Sequence, residues 1–193
     1  MRMKSLGGLI LLLISTSALA SQSKNLLANL AFDQGKSTFL TGYFKTSTGI
    51  VYEDHYAIGS NANEFNPEWS STIQPHSGGS MMIVNGATQP DVIVWQSGRI
   101  RVKPHTTYFF GAYATSLYGV SPPILVFRIN GTQSGAEFHP SQAVGKWTQF
   151  NTIWNSGTAT HASISIVDGN TDEYGNDFAL AGRCKTLAFP SID

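Results

Sequence analysis

The residues of this 193-residue chain with the most chemistry to offer are its rings and its arginines. An indole or phenol ring can stack on the apolar face of a pyranose, and planar Arg, Asn and Gln groups can serve neighbouring hydroxyls. Trp95, Arg99, Arg101 and Arg128 form one such set. Trp69, Tyr118 and Tyr174 form a second, in segments predicted as loops.

Sets suited to bond-breaking chemistry are poorer. Glu53-Asp54-His55 is a dense polar triplet that reads as a solvated loop. Glu64 and Glu68 could pair as glycosidase carboxylates do, but nothing in the sequence sets them across a common cleft. The five histidines are scattered without ligand spacing, and no Gly-x-Ser-x-Gly elbow occurs. No catalytic residue is assigned, and the chain is read as a binding protein rather than an enzyme. The single cysteine, Cys184, allows no internal disulfide and reads as a buried, inert thiol.

These side chains must be carried by short strands. β-prone runs punctuated by Gly, Pro, Asn and Asp cover 28–32, 43–46, 54–58, 81–85, 92–102, 108–116, 124–130, 146–154, 159–168 and 177–189. A short helical turn near 64–70 is the sole helical signal. Period-two geometry over 92–102 sets Val94, Ile100 and Val102 inward, and Trp95, Arg99 and Arg101 outward. Likewise Leu125, Phe127, Ile129, Ile164 and Ile166 point inward, while Arg128, Asn130, Ser163 and Ser165 point outward. Many short strands with this spacing predict an all-β antiparallel sandwich or barrel.

Composition fits that reading. Hydrophobic residues make up 41% and charged residues only 12%, with zero formal net charge. That is enough apolar material for a core, and neutrality argues against a nucleic-acid partner. Arg2 and Lys4, the apolar run 9–14 and Ala18-Leu19-Ala20 make residues 1–20 a signal peptide, leaving one domain over 21–193. No later run predicts membrane insertion. The chain is expected to be exported, to the periplasm, the cell surface or the medium. Removing Arg2 and Lys4 takes the formal charge to −2.

A family resemblance runs along the domain. The opening Asn25 to Gly35, with Asn29, Phe32 and Asp33, resembles the first strand of jelly-roll carbohydrate-binding modules of the galactose-binding-domain-like superfamily, known from secreted bacterial proteins. The run Asn176-Asp177-Phe178-Ala179-Leu180 resembles their closing strand. Between them, in the expected order, lie His76 to Gly86, Val94-Trp95-Gln96, Phe127-x-Ile129-Asn130-Gly131 and Gly145-x-Trp147-x-x-Phe150. The resemblance implies a non-catalytic β-sandwich that binds a polysaccharide or glycoconjugate; the stacking and hydrogen-bonding chemistry of the two sets above makes Trp95, Arg99, Arg128, Trp69 and Tyr118 the candidate sugar contacts. The resemblance assigns Trp147 and Trp154 to the core. It also implies one structural calcium, with Asp33 as a ligand. Ala181 and Gly182 stand where the family often has acidic residues, which leaves Asp177 as the second candidate ligand. The alternative is an adhesive sandwich that presents a surface to a protein partner at the cell surface or in an extracellular matrix.

Overall fold

A computed structural model describes residue 32, residues 39–181 and residues 187–189. The expected signal peptide, most of the first predicted strand, Asp33 and Cys184 lie outside the described residues. Thirteen strands are described: β1 (Phe44–Lys45), β2 (His55–Gly59), β3 (Met81–Asn85), β4 (Val92–Gln96), β5 (Ile100–Arg101), β6 (Thr107–Ser116), β7 (Leu125–Ile129), β8 (Thr132–Gln133), β9 (Thr148–Asn155), β10 (His161–Ala162), β11 (Ile164–Asp168), β12 (Phe178–Ala181) and β13 (Leu187–Phe189). The helical signal is one 3₁₀ turn, Ala62–Glu64, capped by the Asn61 side chain accepting from the Asn63 amide.

Two sheets make the sandwich. The larger runs β1-β2-β3-β12-β6-β13, with β9 paired to β6 as well, and the smaller runs β4-β11-β7-β8. A separate ribbon pairs β5 with β10. All described strand pairs are antiparallel except the short β1–β2 pair. The inner faces meet in one cluster: Met82, Val84, Phe110, Phe150, Phe178 and Leu180 from the larger sheet, Leu125, Phe127, Ile129, Ile164 and Ile166 from the smaller. Phe150 packs on Phe127 and Phe138 with ring centroids 4.9 and 4.7 Å away. Each fully buried Phe or Leu stabilises the fold by about 1.5–3 kcal/mol.

β3 and β12 are buried on both faces. Their second face carries Met81, Ile83, Ala179 and Ala181 and lies under Ile50, from the β1–β2 connection, and Ala62, Trp69 and Ile73, from the β2–β3 connection. The small alanines on β12 leave room for that cover. This is why the two strands read as continuous apolar runs rather than as alternation.

The sequence expectations for the strands at 92–102 and 159–168 need correction. Each breaks in two, at Ser97–Arg99 and at Ser163, and the outer pieces leave the smaller sheet to form the β5–β10 ribbon. At the break, Ser97 Oγ accepts from the Ile164 amide at 3.0 Å, a side chain standing in for a ladder carbonyl.

One end of the sandwich is closed by buried polar groups. The Asp168 carboxylate, with no exposed surface, accepts from Tyr43 Oη at 3.0 Å, Asn176 Nδ2 at 2.9 Å and the Asn170 amide at 3.1 Å. Those bonds tie the chain before β1 to the loop between β11 and β12. Gly86 sits against this clasp: a Cβ there would fall 2.3 Å from the Asn176 side chain.

Candidate functional site

Trp95 faces inward, contrary to the alternation read from the sequence. β11 pairs Ile166 with Trp95 but Val167 with Ile93, so Val94 is an extra residue, a β-bulge. Val94 and Trp95 therefore both enter the core, and Trp95 is 2% exposed. Its ring offers no face to a ligand, and its Nε1–H is buried without a hydrogen-bond partner. The outer face of the smaller sheet instead carries a row of Gln96, Ser165, Arg128 and Gln133 on neighbouring strands. Arg128 is held there by Asp91, with N···O 2.5 Å. Arg99 follows β4, is exposed, and lines a cleft away from Arg128's ion pair.

Trp69 is also buried, at 2% exposure, although it was expected at a loop tip. It is the centre of the cover over β3 and β12, and its Nε1 donates to Asp177 Oδ2 at 3.2 Å. Tyr118 and Tyr174 do come together at the expected tip. Their rings form a T-shaped pair with centroids 5.9 Å apart, and Tyr174 is widely exposed.

Asp177 lies beneath that tip. Burial, opposed by the Trp69 and Gly86 hydrogen bonds and assisted by Glu53 and Glu68, pushes its carboxyl up to about 7. Its Oδ1 is buried with no hydrogen-bond partner. A calcium ligand must be ionised and share the ion with several other oxygens. Among the described residues, no three His, Cys, Asp or Glu side chains converge on a common point. The other ligand implied by resemblance, Asp33, lies outside the described residues.

A further surface escaped the sequence reading. The second face of the larger sheet is covered over β3 and β12 but open over β6 and β9. Cross-strand pairing sets Tyr113 beside Gln149, Gly111 beside Asn151, and Phe109 beside Ile153 on that open face. Tyr113 and Phe109 lie four residues apart, about 13 Å along an extended strand. His76 stacks on Tyr113 at 3.6 Å between centroids, and the Trp147 ring stands edge-on to His76 at 5.8 Å. Trp147 is partly exposed and anchored by Nε1 donating to the Gln74 carbonyl at 2.9 Å. Its assignment to the core is half right: one side packs on the cover, the other borders the open face. Gly111 keeps the strip low, because a Cβ there would press on Phe109 at 3.1 Å and Gln149 at 3.3 Å. The Gly145-x-Trp147-x-x-Phe150 block did carry a signal: Phe150 is inward, and alternation sends Gln149 and Asn151 out.

No family profile matches the sequence, and no curated protein matches it. Solved structures do match. The tandem CBM22-1–CBM22-2 domain of Paenibacillus barcinonensis Xyn10C aligns with TM-score 0.58 and 13% identity over 91% of this chain, which spans about half (49%) of that one. The single CBM22-1 xylan-binding domain of the same protein aligns with TM-score 0.50 and 13% identity, covering 86% of this chain and 95% of that one. The enzymatically active domain of bacteriophage CBA120 tailspike protein 4 aligns with TM-score 0.51 and 10% identity, over 86% of this chain and 21% of that one. The architecture is therefore the jelly-roll β-sandwich of carbohydrate-binding modules.

Proposed function

We propose that this chain is a non-catalytic carbohydrate-binding module that holds a polysaccharide or glycoconjugate chain along the open face of β6 and β9. The observation that carries this reading is the strip itself. It has rings at both ends, Tyr113 with His76 and Trp147 at one and Phe109 at the other, with Gln149 and Asn151 between them. Rings supply stacking and amides supply paired donors and acceptors for adjacent hydroxyls. None of the named strip residues is a carboxylate, so the strip has no acid–base pair to cleave a glycosidic bond. A shallow face binds single sugars weakly and gains affinity from chain length. The xylan-binding neighbour supports a polysaccharide as the ligand.

The test is a glycan array followed by calorimetry with residues 21–193. Tyr113→Ala or Trp147→Ala is expected to weaken the best ligand by about tenfold or more, about 1.4 kcal/mol. Gln149→Ala and Asn151→Ala remove exposed side chains and leave the fold unchanged, so a loss there cannot be blamed on unfolding. Unaltered binding in all four variants would sink this site. Running the array in calcium and in EDTA tests the proposed structural ion, which predicts a lower Tm in EDTA.

One observation favours the adhesive reading. Phe44, Val51 and Tyr52 are each about two-thirds exposed beside the edge strand β1. A blank array from a folded protein would shift the assignment to that surface.

A further inference from the structure

Carboxylates gather at one end of the described sandwich. Asp54, Asp91, Asp168 and Asp177 lie where β2, β4, β11 and β12 meet the Tyr118–Tyr174 tip, and Glu53 and Glu68 act electrostatically on Asp177 there. The opposite end holds the β5–β10 ribbon. Arg99, in the strand break, and Arg101 and Lys103, in and just after β5, are all exposed there. Arg101 lies directly across from His161. Among the described residues no carboxylate pairs with these three cations; the two described ion pairs are Arg128–Asp91 and His139–Glu137.

Beside this cationic edge is a cleft of about 520 Å³, within the range of small-ligand sites. Arg99, Asn130, His161 and Ser163 line it, and Leu40, 62% exposed, gives it an apolar wall. Its opening follows from the strand break: Gly98 leaves open space where a side chain would project. Asn130 Oδ1 accepts from the Ser163 amide at 2.9 Å, which fixes the side chain and leaves its NH₂ as a donor. The guanidinium of Arg99 matches a carboxylate in a two-pronged geometry that a lysine cannot reproduce.

We infer that this cleft is a second ligand site, which takes the carboxylate of an acidic sugar within a polyuronate chain, with Arg101 and Lys103 following the neighbouring charges. Three exposed cations within five residues suit a polymer with repeated anionic groups. The amide, hydroxyl and apolar groups around Arg99 suit the rest of a sugar ring rather than a bare anion. The inference rests on the chain being a glycan binder, but the residues lining the cleft, Arg99, Asn130, His161 and Ser163 among them, are none of those on the open face of β6 and β9.

The experiment is affinity electrophoresis and calorimetry of residues 21–193 with polygalacturonate, dextran sulfate and neutral xylan. Wild type is expected to bind polygalacturonate, and the double variant Arg99→Gln/Arg101→Gln to lose at least about tenfold in affinity. Raising NaCl from about 50 to about 500 mM should weaken the wild-type complex strongly, because exposed charges are screened. Tyr113→Ala should leave polygalacturonate binding intact. Failure of wild type to bind polygalacturonate, or equal binding by the double variant, overturns the proposal. Binding of dextran sulfate without polygalacturonate overturns the carboxylate assignment. Polygalacturonate binding that depends on the arginines, in a protein blind to every neutral glycan, would sink the open-face site and leave this one standing.

Discussion

Trp95 shows how a single inserted residue can change what a side chain is for. With Val94 taken up by the bulge, the indole is core and its N–H is unpaired. An unmade buried hydrogen bond costs about 1–3 kcal/mol. Trp95→Phe removes that burden at modest loss of volume and is expected to change stability by less than about 1.5 kcal/mol, while Trp95→Ala should lose about 3–5 kcal/mol. Urea denaturation checks both, and glycan binding by the Phe variant should equal wild type. Asp177 makes a second residue-scale prediction. Its folded carboxyl stands at about 7 against an ordinary 3.8. Between those values the unfolded chain releases a proton that the folded chain keeps. The contribution is therefore full below about pH 4 and is lost as pH rises through 7. Asp168, raised by burial, has the same sign. In EDTA, the Tm of wild type should fall between pH 4 and pH 7.5 more steeply than that of Asp177→Asn; parallel curves would refute the assignment.

At the scale of elements, most strands were legible because turn residues punctuate them and alternation marks their faces. The runs at 81–85, 108–116 and 124–130 became β3, β6 and β7 with ends shifted by at most one residue. The breaks within 92–102 and 159–168 were not legible, because they depend on a distant partner: Ser97 Oγ is claimed by Ile164. Trp69 was misplaced for a similar reason. Nothing local announces that the connection from β2 to β3 folds down over β3 and β12. Loss of that cover is testable. Trp69→Ala should destabilise the fold by about 3–5 kcal/mol and expose apolar surface to a dye such as ANS. Trp69→Phe, which keeps the packing and drops the bond to Asp177, should lose less than half of that.

Over the whole molecule, the fold was readable and the site was not. The alternating pattern defines inward and outward positions strand by strand, so a two-sheet sandwich follows. It does not say which outward positions adjoin. Tyr113, His76 and Trp147 come from a strand, the cover and the approach to β9, and only the assembled sheet brings them together. Arg99 and Arg128 were grouped by shared alternation, yet the strand break sends one to the cleft while Asp91 holds the other.

The four indoles also give the molecule built-in optical reporters. Trp69 and Trp95 are each 2% exposed, whereas Trp147, bordering the open face, and Trp154, on β9, are only half-buried. Water-shielded indoles emit at shorter wavelength than wetted ones. The red edge of the native emission spectrum therefore belongs to Trp147 and Trp154 together, and a sugar laid over the Trp147 ring should quench or blue-shift part of it. The blue component, from Trp69 and Trp95, should stay fixed until the chain unfolds. One cuvette thus separates occupancy from denaturation without a label.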